Sequence, residues 1–448
     1  MYTVPVVVIR SNDHCFLDII RSCGSEGIPV IPVFFSWEGA GEWLSEKSKY
    51  YTNPIRISNP AENEEQAKRE LIELGKLLKK KFHTKILIIP SSDTSLVFLQ
   101  NHFLEFQKYF YQMGHDDFTK DCIRELSKSS FAHFMKEAGI CIPHTLDVLC
   151  EEDIKPAVSA IEYPCVIKPV TKDIGNSFQR THNQNKAIEC ENAAILEKNL
   201  HQELKNGYQL IVQEKIFFKT LEDEISIYAY ADSSGKIIML SGLHKLIEYP
   251  EKYGTGIVCR QYVREELSTV TESIIRTLKW HGFACIEFMK NCKTGKWTVI
   301  EMNLRPWLSI YFQGFLHFNF VAQLYKEIYA KNEFIKEPVI SVNNDFIMLD
   351  IPLLLRKKID EQLGVESAIR DVTDYIQSHS GKCVFSHYLA MDIMPGIAEK
   401  TMLIQKYGNE QLFEKMYYAM DVNNERLSEN LNQVSLKRPL DMKVEYAD

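Results

Sequence analysis

Residues 283–289, FACIEFM, and residues 299–305, VIEMNLR, have the alternating pattern of two strands of a β-hairpin. If the hairpin closes symmetrically about Thr294, its loop is a three-residue connection that ends in glycine, where a left-handed conformation is commonly needed. In that register Glu287 lies directly opposite Glu301. Side chains alternate between the two faces of a strand, so both carboxylates are predicted on one face.

The polar face of this hairpin is predicted to hold a cation. Asn303 and Arg305 share the face of Glu301, whereas Met302 and Leu304 point to the other side. Like charges directly opposite each other are destabilising, which indicates that something positive binds between them. Oxygen ligands of this kind suit magnesium. The alternative is a solvated amphipathic hairpin with ordinary surface acids.

The composition is that of an ordinary globular protein. A length of 448 residues allows two to four domains or subdomains, and the 45% hydrophobic content is ample for a core. The 52 basic and 60 acidic side chains give a formal charge of -8, which argues against a nucleic-acid partner. The chain has no apolar run of about 18 residues, so no membrane partner is expected. The 11 cysteines lack metal-site spacing and fit reduced thiols, and residues 1–5 lead straight into a strand, so we expect a cytoplasmic protein.

The first part of the chain predicts a parallel sheet. A strand at 5–9, a helix at 15–23 and a strand at 28–34 follow one another, and another strand is predicted at 85–90. Ligands of open α/β sheets bind beyond the carboxyl ends of the strands, which makes the loops at 10–12 and 91–94 candidate substrate loops, with Asp93 as a substrate-binding candidate. The alternative is a capped helix that begins near Asp93. No glycine-rich dinucleotide fingerprint follows the first strand, which disfavours a nicotinamide cofactor there.

The middle of the chain has the punctuation of a second domain. The predicted elements are a helix at 128–138 ended by Gly139, a strand at 163–169 that carries Lys168, a helix at about 186–205, a strand at 209–216, strands at 224–231 and 236–242, and a helix at 267–280. The final hundred residues mix helix and strand and contain no chemical motif that we can interpret.

In the order and spacing of these features the chain resembles the ATP-grasp superfamily, from about the first strand to near residue 400. The residues that carry the resemblance are Lys128, the strand with Lys168, the run Gln213-Glu214-Lys215-Ile216, Glu287, and the Glu301, Asn303 and Arg305 set. The resemblance implies a fold of the α/β and α+β classes, in which an N-terminal Rossmann-like pre-ATP-grasp domain precedes a two-subdomain ATP-grasp fold. The implied boundaries are 1–117 for the first domain, 118–213 for the small lid subdomain, 214–340 for the metal-binding subdomain, and 341–448 for a C-terminal α/β extension packed on the core.

The resemblance also implies the ATP-binding residues. Lys128 and Lys168 would reach the nucleotide phosphates, although a solvated lysine is the alternative for Lys128. The implied hinge at the adenine edge is Gln213, Glu214, Lys215 and Ile216, with Glu224 helping to hold adenosine; the alternative is a set of strand-end charges. The loop at 171–180 has a single glycine where many ATP-grasp proteins have a glycine-rich lid, and Gly175 and Ser177 are its candidates for covering the γ-phosphate.

The implied metal ligands are Glu287, Glu301 and Asn303, which would bind two Mg²⁺ ions, with Mn²⁺ as an alternative. Arg305 and Lys168 are the implied catalytic residues. A guanidinium offers a planar fork of donors that can hold an acyl-phosphate or the γ-phosphate. The alternative for Arg305 is a structural salt bridge.

Within the superfamily the chain resembles the D-aspartate ligase-like group of carboxylate-amine ligases, on residues 86–93, 244–250, 253–256 and 303–307. The partners implied are a carboxylic acid and an amine, such as amino acids or a peptide, joined through an acyl-phosphate with release of ADP. Lys245 and Arg260 are candidates for binding the anionic acid, and Trp307 for walling its pocket, with surface charges and a packed core tryptophan as the alternatives. A thiol or bicarbonate acceptor, a nucleotide-binding protein without turnover, and assembly as a homodimer stay open.

Overall fold

The computed structural model describes most of the chain. The described residues are 2–36, 43–114, 131–132, 135–136, 138–170, 178, 181–182, 185–252, 254–432 and 434–440. Among them, we find no helix with the length and apolar character that crossing a membrane requires.

A parallel five-stranded sheet forms the first part of the structure, as predicted. Its strands are β1 (Val6–Arg10), β2 (Val30–Phe35), β3 (Ile55–Ile57), β4 (Ile86–Pro90) and β5 (Phe110–Tyr111), in the order β3-β2-β1-β4-β5. Its helices are α1 (Asp13–Gly24), α2 (Pro60–Phe82), α3 (Asp93–Asn101) and α4 (Phe103–Phe106), with a 3₁₀ turn at Leu44–Lys47. Because β1 and β4 are neighbours, the loops that follow them lie side by side.

Local capping explains where two of these helices begin. The side chain of Asn12 accepts a hydrogen bond from the backbone N–H of Cys15 and thereby starts α1. Ser92 and Ser95 form a capping box at the start of α3. The predicted helix near Asp93 is therefore present, and it begins at that residue.

A small antiparallel sheet follows. Its strands are β6 (Thr145–Val148), β7 (Cys165–Pro169), β8 (Ile188–Cys190) and β9 (Leu210–Glu214), in the order β6-β9-β7-β8, and its helices are α5 (Ile154–Ala160) and α6 (Ala193–Lys205). A 3₁₀ turn at Glu151–Asp153 precedes α5. The helix predicted from residue 186 is wrong in its first part, because residues 188–190 pair with β7 and the cap residue Asn192 starts the helix only afterwards.

A nine-stranded sheet forms the centre of the molecule. Its strands are β10 (Glu224–Ala231), β11 (Ile237–Tyr249), β12 (Thr255–Gln261), β13 (Gly282–Lys290), β14 (Trp297–Asn303), β15 (Val339–Ser341), β16 (Ile347–Leu349), β17 (Cys383–Phe385) and β18 (Lys437–Pro439). Seven of them run in the order β14-β13-β10-β11-β12-β16-β17, while β15 pairs with β11 and β18 pairs with β15. The associated helices are α7 (Glu266–Thr277), α8 (Ile310–Phe315) and α9 (Phe320–Tyr329), and a 3₁₀ turn at Leu221–Asp223 leads into β10.

Four helices of the final hundred residues cover one end of this sheet. They are α10 (Ile351–Lys358), which a π-helical turn at Ile359–Leu363 continues, α11 (Val365–Ser378), α12 (Met394–Tyr407) and α13 (Glu410–Leu431). Their buried side chains form a core with those of β12, β16 and β17.

The largest core joins the first sheet to the central sheet. It contains side chains of β1 and α1 together with side chains of β10, β11, β13 and α9. Because this core is continuous, α1 is held against the central sheet, and the loops beyond β1 and β4 are carried toward it. The predicted fold class, a parallel α/β sheet followed by an α+β arrangement, is confirmed. The bounds of the four predicted domains stay predictions.

Candidate functional site

The acidic hairpin is present as β13 and β14, and Glu287 lies directly opposite Glu301 as predicted. A β-bulge follows this pair: Phe288 faces Val299, so Ile300 is the extra residue. The two strands consequently end at Lys290 and Trp297, and the predicted three-residue loop is wrong, because residues 291–296 form the connection. The glycine of the loop, Gly295, does adopt the left-handed conformation, with φ of 71°.

Neighbouring strands bring more charged groups to the face that carries Glu287 and Glu301. In β10, Ser226 lies opposite both Glu287 and Leu243, so Glu224 and Lys245, each two residues away along its strand, point to the same face. Glu224 and Lys245 form an ion pair there. Lys245 also lies 3.8 Å from the carboxylate of Glu248 and donates to the carbonyl of Gly254 at 3.3 Å.

Burial raises the pKa of Glu287, and the charge of Glu301 raises it further, against the opposing effect of Lys245 and Lys186. Burial alone would lower the pKa of Lys245, but Glu224 and Glu287 outweigh it and the pKa is raised. Glu287 therefore resists ionisation unless more positive charge is supplied to this face.

The donor set fits a hard divalent cation that shares its coordination with other oxygens. Among the described residues, no group of three or more His, Cys, Asp and Glu side chains is arranged to hold a metal ion. What the hairpin offers instead is two glutamates and the amide oxygen of Asn303, which lies opposite Cys285 on the same face. Magnesium sites of this type use one or two carboxylates and complete the octahedron with phosphate and water oxygens.

Lys168 projects from the small sheet toward this acidic face. Its ammonium group donates to Oε1 of Gln213 at 2.8 Å, and Nε2 of Gln213 donates to the hydroxyl of Thr145 at 2.9 Å. Burial lowers the pKa of Lys168, while Glu301 and Glu287 act in the opposite direction. The lysine is thus within electrostatic range of both opposed carboxylates.

The predicted hinge residues lie at the end of β9 and directly after it. The carboxylate of Glu214 accepts a hydrogen bond from the backbone N–H of His144 at 3.2 Å, and the backbone N–H of Glu214 donates to the carbonyl of His144 at 2.8 Å. Lys215 forms an ion pair with Glu189 on β8, and Ile216 is buried. These contacts fix the position of the segment, and its role at the adenine edge stays a prediction.

Arg305 bridges the central sheet and the first sheet. Its Nε and Nη2 atoms donate to the two carboxylate oxygens of Asp93, at 2.7 and 2.9 Å. Nη1 donates to the carbonyl of Pro306 at 2.9 Å, and Nη2 lies 3.4 Å from Oδ1 of Asn303. Burial would lower the pKa of Arg305, but Asp93 outweighs it and raises the pKa.

The two predicted substrate loops meet beside this pair. The hydroxyl of Ser91 accepts from the backbone N–H groups of Ser11 and Asn12 at 3.0 and 3.1 Å. The hydroxyl of Ser11 lies 2.6 Å from that of Ser92. Hydrogen bonds between the loops therefore hold Asp93, the next residue along, beside Arg305.

Two other candidates have surroundings of a different kind. Trp307 is 4% exposed and stacks on Tyr228 with ring centroids 4.2 Å apart, which is the packed-core alternative. Arg260 lies opposite His244, whereas Lys245 lies opposite Cys259, so Arg260 and Lys245 are on opposite faces of the sheet. The roles of Trp307 and Arg260 in substrate binding stay predictions.

Three predicted nucleotide-binding residues, Lys128, Gly175 and Ser177, lie outside the described residues. One cation of the site was missed by the sequence reasoning. Lys186, which precedes β8, opposes the raised pKa of Glu287. The sequence signal for the position of Lys186 was the short run at 188–190, which contains a β-branched residue and a cysteine and is typical of a strand. The helix predicted at about 186–205 covers this run instead.

Comparison with known families identifies the middle of the chain. Residues 127–309 match the family described as "Carbamoyl-phosphate synthase L chain, ATP binding domain". The match supports the resemblance to the ATP-grasp superfamily over this region of the chain. The matched region includes both strands of the acidic hairpin, Lys168 and Arg305.

A curated relative is the D-aspartate ligase of Enterococcus faecium (strain Aus0004), which is 24% identical over 236 residues. The alignment covers 51% of this chain and 55% of the relative, so the chain spans about half the length of the curated protein it matches.

Solved structures share the fold. An L-amino acid ligase from Bacillus licheniformis superposes with a TM-score of 0.53 at 16% identity, over 75% of this chain and 77% of the other. The biotin carboxylase domain dimer of 2-oxoglutarate carboxylase from Hydrogenobacter thermophilus, solved with MgADP, ADP and bicarbonate, superposes with a TM-score of 0.53 at 16% identity, over 75% and 72% of the two chains. At such identities the likeness shows the ATP-grasp fold alone.

Proposed function

We propose that this protein is an ATP-dependent ligase that joins a carboxylic acid to an amine through an acyl-phosphate, with release of ADP and phosphate. The observation that carries the proposal is the pairing of Glu287 with Glu301 on a sheet face that also holds Glu224 and Lys245 and that Lys168 approaches. Two opposed carboxylates flanked by lysines suit a metal-bound polyphosphate.

The proposed ligands for magnesium are Glu287, Glu301 and Asn303. Bound with the nucleotide, magnesium would neutralise negative charge that develops on the transferring phosphate. Two ions would use Glu301 as a shared ligand, and Mn²⁺ offers the same preference for oxygen donors.

Lys168 is proposed to hold the phosphates of ATP. Phosphoryl transfer demands positioning and neutralisation of charge more than covalent work by the protein. Gln213, held in turn by Thr145, fixes the ammonium group on one side and leaves its remaining hydrogens to face the acidic hairpin. Lys245, paired with Glu224, supplies a second positive charge next to Glu287.

Arg305 is proposed to hold the phosphate at the point where the two substrates meet. In the first step an oxygen of the acid attacks the γ-phosphorus and the bond to the ADP oxygen breaks. In the second step the amine nitrogen attacks the acyl carbon, the carbon to phosphate-oxygen bond breaks, and the nitrogen gives up a proton. Asp93 orients the guanidinium for both steps through the bidentate contact.

The relatives support this choice of chemistry, since one is named D-aspartate ligase and another L-amino acid ligase. A thiol or bicarbonate acceptor would use the same acyl-phosphate route, and the assay below distinguishes the bicarbonate reaction. A nucleotide-binding protein without turnover is disfavoured by the presence of Glu287, Glu301 and Asn303 together on one face.

The test is a screen for acid-dependent ADP release with hydroxylamine as the trapping nucleophile. Amino acids and small carboxylic acids are each supplied with ATP and magnesium, and ADP and hydroxamate are measured together. We expect at least one acid to give equal amounts of ADP and hydroxamate. Formation of AMP in place of ADP, or ADP release that depends on bicarbonate alone, would overturn the proposed reaction.

A further inference from the structure

The face that carries Glu287 continues across the central sheet to a second polar cluster. Lys245 lies opposite Cys259, Cys259 lies opposite Met348, and Met348 lies opposite Val384. Burial raises the pKa of Cys259 to about 12, with Lys245 opposing this shift and Glu224 and Asp350 adding to it. Asp350 therefore lies close to the ion pair of the proposed nucleotide site.

Helix α1 covers this end of the face with two titratable side chains, His14 and Asp18. Between them and the sheet is a cavity of about 10 Å³, whose lining includes His14, Asp18, Ser309 and Ser386. A cavity of this size holds about one water molecule. An ammonium group has nearly the same dimensions.

The neighbouring charges at this interface are already paired. Arg21 donates to Asp392 at 2.7 Å, and His387 is bonded to Glu399. In the part of the chain that the structure describes, neither Asp18 nor Asp350 forms an ion pair with a lysine or an arginine.

The contacts of Asp18 and His14 leave room for a ligand. Asp18 is 4% exposed and accepts a backbone hydrogen bond from Tyr311 at 3.3 Å. Nδ1 of His14 is 3.9 Å from Oδ2 of Asp350, beyond hydrogen-bonding distance, and the His14 ring centroid is 4.9 Å from that of His387. A buried carboxylate beside an imidazole is a suitable environment for a protonated amine.

The chain that leaves Arg305 runs directly to this cavity. The thiol of Cys15 donates to the carbonyls of Pro306 and Trp307 at 3.6 and 3.7 Å, so the segment after Arg305 lies on α1. Ser309 then lines the cavity, and Tyr311 binds Asp18. The cavity is thus tied by consecutive contacts to the residue proposed to hold the acyl-phosphate.

We propose that this cavity receives the ammonium group of the amine substrate, with Asp18 as its anionic partner and His14 as the acceptor of the proton that the nitrogen loses. The inference rests on the proposed ligase function. The ammonium group first gives one proton to the imidazole, which later passes it to solvent, and this exposes the lone pair of the nitrogen. As the nitrogen then bonds to the acyl carbon, phosphate leaves with the electrons of the broken carbon–oxygen bond and takes up the second proton of the nitrogen.

The charge state of His14 agrees with this role. Burial and the charge of His387 lower its pKa, with Arg21 acting in the same direction, whereas Asp18 and Asp350 oppose the shift. The ring is therefore neutral near neutral pH and has a lone pair to accept a proton. Burial also raises the pKa of Asp18, which a bound ammonium group would counteract.

The test compares two nucleophiles on variants of the cavity. Hydroxylamine is largely uncharged near neutral pH and needs no deprotonation before it attacks, whereas ammonium chloride and the common amino acids present a protonated nitrogen. With the acid found by the hydroxamate screen, Asp18→Asn and His14→Gln are expected to lose about 100-fold in amide formation and to keep hydroxamate formation within about 3-fold of wild type. Ser386→Thr, which adds a methyl group to the cavity, is expected to raise the KM for the amine and leave hydroxamate formation unchanged.

Asp392→Asn is the matched control, because Asp392 is a buried carboxylate of the same interface that is paired with Arg21 and does not line the cavity. It is expected to lower the melting temperature without altering the ratio of amide to hydroxamate. An equal loss of both products in Asp18→Asn, His14→Gln and Ser386→Thr would overturn the inference and leave the ligase function standing. Absence of hydroxamate from wild type with every acid would overturn the ligase function, and this inference with it.

Discussion

Arg305 and Asp93, 212 residues apart in the chain, form a bidentate ion pair with distances of 2.7 and 2.9 Å. The pair links the acidic hairpin of the central sheet to the loop beyond β4 of the first sheet. Because a guanidinium and a carboxylate interlock in a fixed plane, the contact sets the orientation of Arg305 as well as its charge. Whatever binds beside Arg305 is therefore positioned by both sheets.

Removal of either partner of this pair is expected to slow the first step, in which the acid and ATP form the acyl-phosphate. Asp93→Asn should reduce kcat for hydroxamate formation by about 10- to 100-fold, and Arg305→Lys, which keeps the charge but loses the fork, should reduce it at least as much. The KM for ATP should change little. Asp371→Asn, which breaks an exposed ion pair with Lys358, is the control and should retain wild-type kinetics. Wild-type kcat in Asp93→Asn would contradict the orienting role.

Replacing either of the opposed glutamates is expected to remove metal binding and to make the metal-free protein more stable. Glu301→Gln and Glu287→Gln should abolish ADP release, because the magnesium-nucleotide complex loses a ligand. In the absence of metal each variant should melt about 1–3 °C higher than wild type, since one of two like charges placed directly opposite is removed. Differential scanning fluorimetry with and without MgATP measures the melting temperatures, and an assay for ADP measures the loss of ADP release. Glu366→Gln, which changes an exposed glutamate of α11, is the control. Continued turnover by Glu301→Gln would contradict the role of Glu301 as a magnesium ligand.

Lys168 is expected to act on nucleotide affinity. Lys168→Met should raise the KM for ATP by about 10- to 100-fold, as expected for the loss of hydrogen bonds to a charged ligand. The KM for the acid should stay near its wild-type value. Lys76→Met, which removes an exposed ion pair with Glu73, should leave the KM for ATP unchanged. An unaltered KM for ATP in Lys168→Met would contradict the phosphate contact.

Glu327 is expected to make the fold sensitive to acid. Burial opposes its ionisation, but hydrogen bonds from His281, Tyr230 and the Ser233 amide outweigh burial and lower its pKa to about 2 from an ordinary 4.5. A carboxyl whose pKa is lower in the folded state stabilises the fold above the ordinary value, and that stability is lost as the pH falls from about 4.5 toward 2. Glu327→Gln should therefore melt a few degrees below wild type near neutral pH, and the difference should shrink as the pH falls through this window. A difference that is independent of pH would contradict the lowered pKa.

The site on the hairpin was predictable because strand alternation is local. The face shared by Glu287, Glu301 and Asn303 follows from the period of two along each strand. The bulge at Ile300 was not predictable, because it depends on how the twisted pair of strands fits its neighbours. It lies on the loop side of the glutamate pair, so the loop prediction failed while the pairing of the glutamates held.

Contacts between distant segments lay beyond sequence reasoning. The placement of Asp93 and Ser11 at one sheet edge followed from the rule for parallel strands, but the contact of Asp93 with Arg305 required the packing of two sheets. Lys245, a candidate for binding the acid, forms an ion pair with Glu224, and this contact between two strands was also not predicted. The polar cavity under α1 brings together residues about 370 positions apart, such as His14 and Ser386, and no local sequence pattern predicted it.

The most direct test of the central claim uses an acid whose carboxylate carries oxygen-18. If the carboxylate attacks the γ-phosphorus of ATP, one labelled oxygen must pass to inorganic phosphate when the amine displaces it. Wild type incubated with labelled acid, ATP, magnesium and hydroxylamine should therefore yield ADP, hydroxamate and phosphate that contains one oxygen-18 atom, as measured by mass spectrometry. Unlabelled phosphate, or label recovered in AMP, would contradict the acyl-phosphate mechanism.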